Sequence, residues 1–137
     1  MWRTGALGKL YQDGEAIVRQ GEVGDCMYVI QEGQVEVVVE KDGEEVHLMV
    51  LDTGELFGEM AIVEREVRMA TVRALGPTRV LTVDQKNFLR RIHEDPSLAW
   101  RVVQTMSRRI RELAAEVARL KGSEYTSEMR ESRYGKL

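Results

Sequence analysis

From Glu15 to Val83 the chain alternates apolar and polar positions in short, β-branched runs. Glu15–Arg19, Met27–Gln31, Gln34–Glu40, Glu45–Leu51, Ala70–Leu75 and Arg79–Val83 carry the two-residue period of half-buried strands. Gln20-Gly21, Val23-Gly24, Glu32-Gly33, Asp42-Gly43, Thr53-Gly54 and Gly76-Pro77 separate them. Turn signals at such regular spacing predict an antiparallel sandwich or barrel. Asp42-Gly43 is the clearest hairpin, because a type I′ turn needs positive φ at both central residues. Gly58–Val63 breaks the strand pattern and reads as a single helical turn after Phe57, followed by a charged loop, Glu64–Glu66.

Beyond Val83 the period becomes helical. Asp84 is placed to cap a helix running to about His93, with Phe88, Leu89 and Ile92 on one face. Asp95-Pro96 interrupts it, since proline disfavours helical backbone in the residue before it. A longer helix is predicted from Pro96 or Ser97 to Lys121, stopping at Gly122. Ser123–Leu137 is polar, charged and aperiodic, the composition of a frayed tail. The expected fold class is mainly β with C-terminal helices. An antiparallel, jelly-roll-like β-roll occupies about 14–83, and two α-helices follow over about 84–121. Together they make one domain, 1–122, with a tail at 123–137.

The long helix carries a heptad. Val103, Ile110 and Val117 fall at a, and Met106, Leu113 and Leu120 at d. β-Branched residues at a with leucine at d favour a parallel two-stranded coiled coil, and Glu116 at g would attract Lys121 at the following e′ of a partner. So narrow a stripe points to a homodimer through helix 97–121; packing on the chain's own β-roll, the alternative, calls for a wider apolar face.

Composition narrows the classes. The 137 residues make one domain with one core, and a net charge of −3 offers no bulk attraction to nucleic acid or an anionic membrane. No apolar run approaches the ~20 residues that span a bilayer. Met1–Leu10 lacks the apolar stretch of a secretory signal, so the expected location is cytoplasmic. Cys26 is the single cysteine, which rules out an internal disulfide or a cysteine-held cluster; it reads as a small buried side chain. His47 and His93 stand far apart without ligand spacing, so neither a metal nor another cofactor is expected. Arg108, Arg109 and Arg111 interleave with Glu112 and Glu116, the pattern of a solvated face rather than a nucleic-acid patch.

The segment that carries chemistry runs from Gly54-Glu55-Leu56-Phe57-Gly58-Glu59-Met60-Ala61 through Val67-Arg68-Met69-Ala70-Thr71. It is a glycine-bearing turn into a short helix, an acid at the first turn, and an arginine entering the next strand. Helix starts present unpaired N–H groups that suit a phosphate, and Gly58 keeps a side chain out of an anion's approach. Arg68 can grip two phosphate oxygens through its planar fork. Glu59 repels phosphate, and its carboxylate is better used accepting a hydrogen bond from a sugar hydroxyl. Phosphate beside hydroxyl means a nucleotide; one arginine without a lysine-bearing P-loop suggests a single phosphate.

Phe57-Gly58-Glu59-Met60-Ala61 with Arg68-Met69-Ala70-Thr71 resembles the phosphate-binding cassette of cyclic nucleotide-binding domains, the family of catabolite activator proteins, protein kinase A regulatory subunits and cyclic-nucleotide-gated channels. Gly21-Glu22, Gly24-Asp25, Tyr28-Val29-Ile30, Gly33 and Val35 are similar to the same family's early strands, and the likeness extends from Gly14 to about Lys121. The resemblance implies that Glu59 holds the ribose 2′-hydroxyl and that Arg68 pairs with the cyclic phosphate. Backbone N–H groups from Gly58 to Ala61 would assist, and the two C-terminal helices would act as hinge and lid. Val67 stands where many members have proline. Met69 stands where a small or hydroxylated residue usually sits, and its bulk is expected to narrow the pocket. At the lid positions that reach the base, Leu113 and Ala114 are apolar, and Arg109 is a further candidate, reaching back towards the base or Glu59. Cyclic GMP binders often carry threonine directly after the arginine, so cyclic AMP is the expected ligand and cyclic GMP the alternative.

The reading that follows is a ligand-gated sensor without catalysis, whose C-terminal helices move about Asp95-Pro96 and pass a signal to a twin or to a downstream protein that the sequence does not name. One alternative is a transcription regulator of the catabolite activator type. The fifteen residues after Gly122 are too few for a helix-turn-helix, so direct DNA binding is not expected. Another is a degenerate, non-binding β-roll acting as an interaction module. An enzyme on a similar roll would need clustered metal ligands or a nucleophile beside a base, and the sequence offers neither.

Overall fold

Alternation along the longest strands decides what is inside. Residues 7–122 are described in a computed structural model, so the expected tail at 123–137 lies outside the described residues. The described residues form strands β1 Lys9–Tyr11, β2 Ala16–Val18, β3 Val23–Gly24, β4 Cys26–Lys41, β5 Glu44–Leu51 and β6 Leu56–Phe57, then helix α1 Met60–Val63. β7 Glu66–Val67, β8 Thr71–Asp84, α2 Gln85–Glu94 and α3 Ser97–Gly122 complete them. β1, β8, β4 and β5 are neighbours in that order, β2 also pairs with β8 and β6 with β4, while β3 and β7 form a separate ribbon. Every pairing is antiparallel. This is the mainly β fold with C-terminal helices that the alternation predicts.

Val18, Ile30, Val35, Leu51, Phe57, Val72 and Val80 form the core cluster, with Tyr28, Val37 and Met49 packed against it. Asp42 (φ 55°) and Gly43 (φ 78°) make the expected hairpin turn between Lys41 and Glu44.

Three expected breaks are not breaks, and one of them, Val23-Gly24, is the short strand β3. β4 runs through Glu32-Gly33 and β8 through Gly76-Pro77, as bulges that shift the register between Ile30↔Val80 and Gln34↔Leu75. The reason is local. Gly33 (φ 105°) and Gly76 (φ 72°) kink the strands without ending them, and a β-carbon on Gly33 would stand 2.8 Å from the Pro77 carbonyl oxygen. The strands β1, β6 and β7 also escape the sequence pattern, being only two or three residues long.

The chain divides into two units between His93 and Glu94. In the first, Asp84 Oδ1 accepts the Asn87 N–H at 2.8 Å, capping α2 as expected, and Gln85 Nε2 donates to the Ile62 carbonyl of α1 at 3.0 Å. Phe88 and Ile92 are half-buried, but Leu89, expected on the same face, is exposed. In the second unit, Leu98 and Val102 of α3 are buried, and Val103, Ile110, Leu113, Val117 and Leu120 are exposed.

Candidate functional site

Two strand pairings bring distant segments to one place. Tyr28↔Phe57 and Val29↔Leu56 lay β6 beside the start of β4. Val23↔Val67 and Gly24↔Glu66 lay β7 beside β3. Phe57 is buried and stacks on Tyr28, ring centroids 5.1 Å apart at 17°. The chain then turns through Gly58 at φ 76° into α1. Inside that turn Ala61 N–H donates to Gly58 O (3.2 Å), and Ile62 N–H donates to Glu59 O (3.1 Å).

Arg68 is clamped by its backbone, its N–H donating to Glu22 O (2.8 Å) and its carbonyl accepting the Gly21 N–H (2.9 Å). Its half-buried side chain turns inward. Nη2 donates to Cys26 O at 2.8 Å and Nη1 to Gly58 O at 3.3 Å, while Cζ lies 5.6 Å from the Tyr28 ring centroid. A β-carbon on Gly24 would fall 2.0 Å from Arg68 Nε, and one on Gly58 would fall 2.8 Å from Nη1. The guanidinium thus occupies space that two glycines leave open. It carries five N–H donors, so two carbonyl bonds leave others able to meet an anion.

Arg68 forms one wall of a cavity of about 140 Å³, lined also by Ile17, Glu22, Gly24, Cys26 and Tyr28. The Cys26 thiol donates to the Tyr28 hydroxyl at 3.4 Å. Burial, followed by that contact, raises the Tyr28 hydroxyl above the ordinary phenol range, so it stays neutral at physiological pH.

The sequence-predicted residues fall into three groups. Gly58 and Arg68 are brought together, while Ala61 is buried and Glu59 half-buried at the start of α1. Met60 is 56% exposed. Met69 is 74% exposed, which corrects the expectation that its bulk narrows the pocket: Arg68 turns in and the next side chain turns out. Leu113, exposed, and Arg109, half-buried, belong to α3 in the second unit. Cys26, expected to be buried, is half-buried and lines the cavity, because it shares with Tyr28 the face opposite that of buried Met27. Gly24, Cys26 and Tyr28 were not singled out as site residues by the sequence. Gly24 ends β3, whereas Cys26 and Tyr28 share one face of β4, and that two-residue spacing is the signal for the pair.

A family profile described as cyclic nucleotide-binding domain matches residues 9–95. The chain belongs to the cyclic nucleotide-binding domain family. The family's regulatory members are among the relatives of this domain. It is 40% identical over 81 residues to the cAMP-dependent protein kinase regulatory subunit of Blastocladiella emersonii, covering 58% of this chain and 20% of that protein. It is 32% identical over 110 residues to the cyclic AMP receptor protein of Thermus thermophilus, covering 80% of this chain and 51% of the relative. The chain therefore spans from a fifth to about half of these relatives. The crystal structure of the Thermus thermophilus catabolite activator protein superimposes with a TM-score of 0.73 at 32% identity, over 82% of this chain and 54% of that one. The cAMP-bound EAL enzyme Bd1971 superimposes with a TM-score of 0.59 at 28% identity, over 90% of this chain and 33% of that one. Within this cyclic nucleotide-binding domain no group of three His, Cys, Asp or Glu among the described residues is arranged to hold a metal ion. No helix among them is long and apolar enough to cross a membrane.

Proposed function

We propose that the chain is a cyclic nucleotide sensor whose ligand is cyclic AMP, held by Arg68 at its cyclic phosphate and by Glu59 at its ribose 2′-hydroxyl. The observation that carries this reading is the seating of the Arg68 guanidinium between Gly24 and Gly58 at the wall of a cavity. A buried-side guanidinium with spare N–H groups recognises a monoanion, and a carboxylate one residue from Gly58 suits a hydroxyl donor. Backbone N–H groups at Gly58, Glu59 and Met60 supplement the arginine, and Ala61 shapes the turn through its bond to Gly58 O. Met69, whose side chain turns outward, adjoins the site only through its place next to Arg68 in the chain. Kinship with a cyclic AMP receptor protein and with a cAMP-dependent kinase regulatory subunit supports a cyclic nucleotide ligand, as does kinship with a cGMP-dependent protein kinase, so the choice of cyclic AMP over cyclic GMP rests on the residue after Arg68.

The response is a change in position of the C-terminal helices about Asp95-Pro96, with Leu113 and Arg109 of α3 contributing a lid. The ligand drives that change only to the extent that it binds one arrangement better than the other. The exposed stripe Val103, Ile110, Leu113, Val117 and Leu120 supports a homodimer through α3. The module acts in the cytoplasm without catalysis of its own, signalling to a downstream protein.

Equilibrium titration with cyclic AMP, cyclic GMP and 5′-AMP tests the reading. Saturable binding is expected for cyclic AMP, weaker binding for cyclic GMP, and weakest for 5′-AMP. Absence of binding by both cyclic nucleotides would leave a degenerate domain.

A further inference from the structure

The Arg68 guanidinium is held by the protein's own groups, and two of the residues that hold it, Gly24 and Tyr28, lie outside the cassette. We infer that Gly24 and Tyr28 are positioning residues that pre-orient Arg68 for the phosphate; this rests on the reading of Arg68 as the phosphate ligand.

The geometry is specific. The three heavy atoms nearest to a β-carbon built on Gly24 are Arg68 Nε, Cζ and Nη2, at 2.0, 2.2 and 2.4 Å. Gly24 is buried and its φ lies outside the left-handed region, so its backbone does not require glycine. What requires glycine there is the arginine. Gly58 differs, since its φ of 76° disfavours any side chain whatever fills the space. Tyr28 supplies the other surface. Its ring is fixed from behind by stacking on buried Phe57, its hydroxyl accepts from the Cys26 thiol, and its ring lies under the guanidinium at 5.6 Å. The Cys26 and Gly58 carbonyls set the rotation of the plane. An arginine that swings free must be ordered on binding, which subtracts from affinity; one already seated has met that cost during folding.

Three variants, Gly24→Ala, Tyr28→Leu and Tyr28→Phe, test this beside Arg68→Ala. Cyclic AMP affinity is read by calorimetry, stability by thermal midpoint, and the arginine by its side-chain Nε–Hε nuclear magnetic resonance signal, identified through its loss in Arg68→Lys. Gly24→Ala is expected to fold with an unchanged midpoint, move the Arg68 signal to the averaged position of a mobile arginine without ligand, and weaken cyclic AMP about 10- to 100-fold, the scale of one or two lost charge-assisted hydrogen bonds. Tyr28→Leu should weaken binding similarly, and Tyr28→Phe, which keeps the ring, should restore it. An unmoved Arg68 signal with unchanged affinity in Gly24→Ala, while Arg68→Ala loses binding, overturns the positioning role and leaves the sensor reading intact. Equal loss in Tyr28→Phe and Tyr28→Leu overturns the ring's part. Undiminished affinity in Arg68→Ala defeats the sensor reading itself. Should Gly24→Ala unfold, glycine is needed there for packing and the inference about that position fails, with the tyrosine pair deciding the remainder.

Discussion

Thr78 is fully buried, and its hydroxyl donates to Gln34 O at 2.9 Å with Gly76 O alongside at 3.0 Å. It closes the double bulge where β4 and β8 change register. Thr78→Val keeps the shape and removes the single donor that lies between the Gln34 and Gly76 carbonyls. A loss of about 1–3 kcal/mol is expected in denaturant unfolding; a change within scatter would mean that water reaches those carbonyls. At this scale the sequence is informative where neighbours in the chain are neighbours in the site. Gly58, Glu59 and Arg68 lie within one short segment, and the chemistry of an arginine and an acid flanking a glycine turn is visible without coordinates. Gly24, Cys26 and Tyr28 are not visible in that way, because they reach Arg68 only through the β3–β7 and β4–β6 pairings. The direction of Met69 is equally a product of pairing: Val67 is the last residue paired with β3, and the turn after Arg68 sends the thioether outward.

Among the elements, the helices follow their sequence signals most closely, since capping and period are local. Asp84 starts α2 and Asp95 stands before α3, its Oδ1 accepting the Ser97 hydroxyl (2.6 Å) and the Ser97 N–H (3.2 Å). The Ser97 hydroxyl, more than its N–H, holds the Asp95 carboxyl below the ordinary carboxylate range. Because the folded value lies below the unfolded one, the stabilisation is complete above the unfolded value and disappears as pH falls through the folded one. Acid titration followed by circular dichroism should therefore show α3 losing helix signal at its start below the usual carboxylate range, a step missing from Asp95→Asn. Identical titrations would remove the cap's role. The strands were harder to bound from sequence. Glycine usually ends a strand, yet Gly33 and Gly76 only bend β4 and β8, because each partner strand carries a matching irregularity opposite. For α3, the exposed heptad positions make a separate prediction. Native protein should sediment as a dimer and Ile110→Lys as a monomer; a monomeric native protein contradicts the coiled coil.

For the molecule as a whole, the β-roll was legible because alternation, turn spacing and the cassette all agreed, which is the consistency expected of a sequence that specifies one fold. The family membership adds the ligand class, and the first unit supplies a cavity walled by an arginine seated on two glycines. Everything proposed for signalling depends on a negatively charged ring phosphate meeting that arginine. Calorimetric titration of cyclic AMP into the native chain and into Arg68→Ala is the most direct measurement. Native binding that weakens by roughly 2–5 kcal/mol when the guanidinium is removed is the predicted result, as for loss of one partner of a desolvated charge pair. Equal affinity in the two proteins would contradict it.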